Sequence, residues 1–262
     1  MLVLGFVGAL LIGLVLGLIG GGGSILTVPI FVYFLDIDPI LATAYSLFVV
    51  GITASVGAVR NFQNQLVDFK TGLVFAIPSF IGVYLARAYF MEMIPNEIII
   101  LSTSLQKGTA IMIFFSLIML LASYFMIREN NNDIKASTLN YSKFILSVEG
   151  LVVGVLTGIV GAGGGFLIIP ALVLFAKLPM KKAVGTSLMI IAIKSLFGFI
   201  GDLGNINLIF DWSLLLFFTT LSVIGIYFGI YLTKFIEGKS LKKGFGWFVL
   251  IMAFVILFKE IL

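Results

Sequence analysis

Two runs of small residues and one deep lysine are the features of this sequence best suited to hold a ligand. Gly20-Gly21-Gly22-Gly23-Ser24 and Gly161-Ala162-Gly163-Gly164-Gly165 each interrupt a long apolar stretch. Consecutive glycines hold a helix poorly. An unwound turn at membrane depth bares backbone N–H groups, which is tolerated only where protein or water lines a cavity. A helix that restarts there points its free amides and positive dipole end at the membrane middle, an arrangement suited to a small anion. Ser24 is a candidate N-cap for the first restart. Pro29 and Pro170 leave open whether each helix resumes at the glycines or near the proline. The bland alternative for glycine is close helix packing, and it suits Gly13, Gly17, Gly154 and Gly158, spaced four apart.

Lys194 lies inside an apolar run, where a lysine costs about 2.5–3.5 kcal/mol at the centre of a helix. Its ammonium either serves an anion in a central cavity or pairs with Asp202 or Glu149. Ser46, Thr53 and Arg60 recur every seven residues and share one helix face, matched by Ser187, Lys194 and Gly201 in a second helix. Ser46, Thr186 and Ser187 could donate hydroxyls to an oxyanion, although buried Ser and Thr also satisfy local carbonyls. Arg60 reads as an interfacial anchor. Glu149 reads as a shallow snorkelling residue beside Lys143, with a proton carrier as the alternative.

The rest of the composition limits the chemistry. Of 262 residues, 61% are hydrophobic and 11% charged, with no His and no Cys. Soluble domains carry about 25% charged residues, so a soluble enzyme, a nucleic-acid binder and a disulfide scaffold are excluded. A membrane enzyme would lack the usual neutral-pH bases and nucleophiles, and no metal or other cofactor is expected. The glycine runs follow apolar helices and lack the final small residue of a dinucleotide fingerprint, and no ATP-binding loop motif occurs. Few deep carboxylates argue against a cation channel.

These residues must be positioned by membrane-spanning helices. Apolar runs occupy about 2–35, 40–59, 71–91, 108–127, 144–176, 183–201, 212–233 and 244–258. Six suit single crossings of about 20 residues. The runs 2–35 and 144–176 would reach roughly 50 Å as straight helices, against a hydrocarbon core of about 30 Å. Each therefore reads as a hairpin of helix, Gly-rich turn and return segment. Cytoplasmic loops hold most Lys and Arg. With two hairpins, Arg60, Lys70, Arg128, Lys135, Lys143, Lys177, Lys181, Lys182, Lys234, Lys239, Lys242 and Lys243 fall on one side, twelve of sixteen basic residues. Arg87, Lys107 and Lys259 fall on the other, together with both termini. The first residues lack a positive n-region, so the first apolar run is expected to be retained.

The sequence also repeats. Shifted by 141, residues 17–57 align on 158–198 with thirteen identities, including Gly17/Gly158, Gly20/Gly161, Pro29/Pro170, Ala42/Ala183 and Ser46/Ser187. A shift of 143 then aligns Asp68 with Asp211, Gly82 with Gly225 and Tyr84 with Tyr227. Five segments per copy is an odd number, so the second copy should be inverted. Inverted repeats with broken helices are a signature of secondary transporters. The expected fold is an all-α polytopic membrane protein of two inverted repeats, 1–127 and 143–262, joined by a polar linker, 128–142. Neither half is expected to stand alone, giving one functional domain.

Both glycine motifs, Gly17-Leu-Ile-Gly20-Gly-Gly-Gly-Ser-Ile-Leu-Thr-Val-Pro29 and Gly158-Ile-Val-Gly161-Ala-Gly-Gly-Gly-Phe-Leu-Ile-Ile-Pro170, resemble the duplicated signature of the sulfite exporter TauE/SafE family. Ala42…Ser46 and Ala183-Val-Gly-Thr-Ser187 resemble its next element, and Asp211-Trp212 and Asp68-Phe69 its short Asp-aromatic pair. The sequence departs from the family pattern at Lys194 and at Asn61-Phe-Gln-Asn-Gln65. The resemblance implies a permease for a small sulfur-containing anion such as sulfite, thiosulfate or an organosulfonate; beside it, a multi-pass protein of the cell membrane and a proton or sodium ion as coupling partner are expected. Its expected binding residues are Gly20–Ser24, Ser46, Gly161–Gly165, Thr186, Ser187 and Lys194.

Overall fold

A computed structural model describes residues 2–21, 23–95, 97–100, 103–128, 143–160, 165–174, 176–204 and 208–261. The first long run is a hairpin. Helix α1 (Leu2–Ile19) ends at Gly20, and α2 (Gly23–Pro29) starts three residues later and continues as a π-helix over Ile30–Phe34. Pro29 brings no N–H to the helical ladder, and the wider turn begins at the next residue. The return runs antiparallel to α1: Gly23 meets Ile12 and Leu16, the Ile30 side chain meets Gly8, and Leu35 meets Gly5.

Helix α3 (Pro39–Gln63) and α4 (Phe69–Leu85) follow, the latter passing into a π-helical turn, Ala86–Phe90. A single turn, α5 (Met91–Met93), leads to an antiparallel hairpin of β1 (Glu97–Ile100) and β2 (Thr103–Gln106), the only strands among the described residues. Then come α6 (Lys107–Ile127), α7 (Lys143–Val160), α8 (Gly165–Leu174), α9 (Met180–Leu203), α10 (Trp212–Leu232) and α11 (Gly238–Ile261). Both return helices thus begin at the glycines and run through Pro29 and Pro170. Among the described residues, five helices are long and apolar enough to cross a membrane: Pro39–Gln63, Phe69–Phe90, Lys107–Tyr124, Met180–Leu203 and Trp212–Leu232. The protein is an all-α polytopic membrane protein.

Helix α1 packs on α10 and α7 on α4, while α3 packs on α9 and α6 on α11. Glycine makes the first two contacts close. A Cβ on Gly17 would stand 2.5 Å from Ile226 O, and Gly13 presses on the Ser222 backbone. On the other side Gly154 presses on Ser79 O, and Gly158 lies against Val83 and Ala86. Membrane helices gain by such approach, because lipid gives no hydrophobic drive for association.

The two copies repeat local geometry as well. Asp36 and Lys177, 141 apart, are both left-handed, with φ of 55° and 51°. The amide one residue on donates to the carbonyl six residues back in each, Ile37 to Phe31 and Leu178 to Leu172, at 3.0 Å. Asp68 caps α4 by accepting from Thr71 N, and Asp211 caps α10 by accepting from Leu214 N. Asp68 N donates to Thr186 Oγ1 and Asp211 N to Tyr45 OH, and residues 45 and 186 are again 141 apart.

Candidate anion site at the helix breaks

The first break is shaped by contact with the second repeat. Gly20 has φ +75°, a conformation that glycine adopts freely, and its amide closes α1 on Leu16 O at 2.7 Å. A Cβ on Gly20 would lie 2.5 Å from Ser187 Oγ and 2.8 Å from Val184 O. A Cβ on Gly21 would fall on the Gly165 carbonyl, and one on Gly165 would fall on Gly21. The two breaks therefore meet backbone to backbone, 144 residues apart in sequence. Gly22, Gly161, Ala162, Gly163 and Gly164 lie outside the described residues.

The hydroxyls divide. Ser187 Oγ sits against Gly20 and donates to Val184 O at 2.8 Å. Thr186 Oγ1 instead accepts the Asp68 amide at 2.9 Å, which ties it to the start of α4 and not to the breaks. Ser46 is fully buried and its Oγ has no hydrogen-bond partner among the described residues; the same holds for Thr53, Ser79 and Ser195. A buried hydroxyl without a partner is uncommon. Ser24 is not an N-cap: α2 begins at Gly23, so Ser24 is its second residue. Gly23 can enter the helix because it has no side chain to strike Ile12 O.

Lys194 is fully buried. Its Nζ donates to Thr157 Oγ1 at 2.9 Å, and Thr157 in turn donates to Gly154 O at 3.2 Å. Thr157 stands one turn before Val160, where α7 stops ahead of the second break. Lys194 makes no ion pair among the described residues. The expected structural partners are elsewhere: Asp202 is taken by Arg87, and Glu149 Oε2 is buried with no hydrogen bond. Arg60 reaches only Gln63 Oε1, in an exposed position that fits an anchor.

Arg87, counted at the sequence level only among the basic residues of the outer side, has a buried partner. It is 4% exposed in the π-turn after α4, and its Nε and Nη2 donate to Asp202 Oδ2 at 3.0 and 2.5 Å. Its Nη1 donates to Thr43 Oγ1 at 2.9 Å and reaches Gly158 O at 3.4 Å. Lys107 is likewise buried, with its Nζ on Met91 O. The only sequence signal for Arg87 was its place inside an apolar run, where a charge needs a partner. Thr157 gave no signal beyond being a hydroxyl in a span.

A model of the sulfite exporter TauE/SafE family matches residues 5–260. The chain belongs to this family. As a TauE/SafE protein it is a multi-pass membrane transporter. It is 27% identical over 257 residues to a "Probable membrane transporter protein" of Xylella fastidiosa, covering 95% of this chain and 92% of that one. It is 30% identical over 236 residues to "Probable membrane transporter protein YunE" of Bacillus subtilis, covering 80% and 83%. A 114-residue stretch is 34% identical to "Probable membrane transporter protein MJ0441" of Methanocaldococcus jannaschii, covering 40% and 41%. No solved structure matches the chain. The glycine motifs that define the TauE/SafE resemblance are thus the segments that touch in the centre of the fold.

Proposed function

We propose that this protein is a secondary transporter of the cell membrane that moves a small sulfur-containing anion, such as sulfite, thiosulfate or an organosulfonate, by alternating access. The observation that carries the reading is the contact between Gly21 and Gly165. Two helix starts arriving at one place bring backbone amides together where an oxyanion would exchange water for N–H donors. Lys194, buried with one hydroxyl partner, supplies positive charge beside them. Ser187 supplies a hydroxyl at the first break, and Ser46 is its counterpart on α3. Gly22, Ala162, Gly163 and Gly164 complete the proposed cradle, and a proton or sodium gradient drives the cycle.

The two repeats work as one domain, inverted across the membrane, with both termini outside and the 128–142 linker in the cytoplasm. The exchange of partners, α1 with α10 and α7 with α4, supports a two-fold relation between copies. The burial of Arg87 and Lys107 removes two of the three basic residues that opposed the loop bias. A Cys introduced at Ser240 should resist impermeant thiol reagents applied to intact cells.

The test of function is direct. Purified protein should melt at a higher temperature with the transported anion among sulfite, sulfate, thiosulfate, sulfoacetate and taurine, because a ligand that binds only the folded state stabilises it. Gly163→Leu should abolish that shift and leave an inserted protein. Proteoliposomes that move none of these anions under proton or sodium gradients would refute the proposal.

A further inference from the structure

The Arg87–Asp202 pair stands at one end of the central α3–α9 pair and joins four elements. Arg87 comes from the turn after α4, Asp202 from the last turn of α9, Thr43 from the first turns of α3, and Gly158 O from α7. The two charged side chains are 1% and 8% exposed. Beside them the same end is packed with rings. Phe199 lies 5.1 Å from Phe48, 5.4 Å from Phe210 and 6.2 Å from Trp212. Tyr45 stacks on Phe210 at 6.0 Å.

The repeat makes a specific comparison available. One copy away, Asp202 corresponds to Asn61, Thr43 to Val184, Gly158 to Gly17 and Arg87 to Ile230. Neither charge is present there. Asn61 Nδ2 turns back to its own helix, onto Gly57 O at 2.9 Å. Beside Asn61 and Val184 lies a cavity of about 80 Å³, also lined by Leu18, Thr233, Lys181 and Lys234. Val184 also forms the wall of Gly20, so this cavity adjoins the first helix break. Its two lysines are exposed at the mouth.

From this we infer that the Arg87–Asp202 pair is a gate that closes one end of the transport path, while the equivalent end, lacking it, is the open route by which an anion passes the Lys181 and Lys234 ammonium groups to the breaks. The inference rests on the transport reading, yet it can be tested without knowing the cargo. In an ion-paired gate the closed state is held by charges that satisfy one another. Opening must separate them, and the guanidinium of Arg87, freed of its carboxylate, would then face an anion in transit.

The chain has no Cys, so one thiol can be added cleanly. Ser46 lies one turn deeper in α3 than Thr43, behind the pair. With Ser46→Cys, an impermeant maleimide applied from the Arg87 side should label slowly. In Arg87→Met with Asp202→Leu, a charge-free replacement that buried ion pairs often tolerate, labelling should accelerate by about tenfold or more as the closed state loses population. Exchanging the charges, Arg87→Asp with Asp202→Arg, should restore slow labelling. At the other end, Ser187→Cys should label from the lysine side, and Asn61→Asp with Ile230→Arg should slow it.

Equal labelling rates with and without the native pair overturn the gate. So does failure of the charge-free variant to insert when the charge exchange inserts, because the pair is then needed only for stability. If neither variant at the Arg87 end inserts, the Ser187→Cys arm decides: an unchanged rate in the Asn61→Asp, Ile230→Arg variant overturns the proposal. Normal gating with no anion transport would count against the proposed cargo and leave the gate standing.

Discussion

The two ends of the α3–α9 pair are built from equivalent positions and filled with different chemistry. At one end Arg87, Asp202 and Thr43 form a buried polar lock, walled by Tyr45, Phe48, Phe199, Phe210 and Trp212. At the other end the same positions hold Ile230, Asn61 and Val184; Thr186, Met189, Ala58 and Val67 replace four of the rings, and Phe69 keeps the fifth aromatic. The backbone plan survives the exchange: Asp68 and Asp211 cap their helices identically, and the residue that takes each cap amide is Thr186 in one case and Tyr45 in the other. Duplication fixes where helices start and cross. Side chains then set what each end can do, so equivalent positions of the two copies carry different chemistry.

The largest expected effect separates the two polar positions. Asp202→Ala leaves the Arg87 guanidinium buried and unpaired, a loss of about 3–5 kcal/mol. Asn61→Ala removes one side-chain hydrogen bond to Gly57 O, a loss of about 1 kcal/mol. Reversible unfolding in mixed micelles measures both. Similar losses for the two would erase the distinction between the ends.

Next comes the wall of rings. Phe199 is 5% exposed and touches three aromatic neighbours. Phe199→Ala should destabilise by about 3 kcal/mol, the low end for this change, because lipid tails are as apolar as the core and only lost packing counts. The position it would come to resemble is already Ala58. If the rings seal the end, maleimide labelling of Ser46→Cys from that side should also rise. A stability loss with no gain in access would assign the rings to packing alone.

Much of this plan is legible before any coordinates. Runs too long for one crossing and broken by glycine imply hairpins, and both return helices start at those glycines. Spacing by four identified Gly13, Gly17, Gly154 and Gly158 as packing faces, since their neighbours are backbone atoms of α10 and α4. Asp68 and Asp211 matched as a pair and both prove to be helix caps. What escaped depends on tertiary approach. Arg87 and Asp202 are 115 residues apart, and each taken alone resembles a charge at the end of a span. The sequence leaves Lys194 open between an anion and a partner in Asp202 or Glu149, whereas Asp202 pairs with Arg87 in the turn after α4 and Lys194 donates to Thr157 on α7. Ser24 is of a residue type that caps helices, but α2 starts one residue earlier, at Gly23, which packs against Ile12 O.

Lys194 tests the centre between the two ends. Lys194→Met removes a buried charge whose one hydrogen bond among the described residues is to Thr157. The insertion cost relieved exceeds the bond lost, so stability should rise by about 1–2 kcal/mol. Anion affinity, read from the ligand-induced melting shift, should fall tenfold or more, since a charge-assisted hydrogen bond contributes about 1.5–3 kcal/mol. Wild-type affinity in this variant would remove Lys194 from the site.

Thr53 is the position on α3 that corresponds to Lys194 on α9, and it offers the smallest and most discriminating change. Its neighbour by the same relation is Leu16, where Lys194 has Thr157, and its Oγ1 is buried with no partner. A buried hydroxyl left unsatisfied costs about 1–3 kcal/mol, whereas an apolar group of similar shape does not. Thr53→Val should therefore raise stability by about 1 kcal/mol. Its effect on anion binding depends on how symmetric the cradle is. If the anion is held on the Lys194 side, affinity should stay within about threefold of wild type, well under 1 kcal/mol, and this is the expected outcome, because only one of the two equivalent positions carries charge. If the hydroxyl instead faces the anion, affinity should drop along with the rise in stability. That pairing would mean the two repeats contribute comparable donors, and that the asymmetry seen at the ends does not extend to the middle.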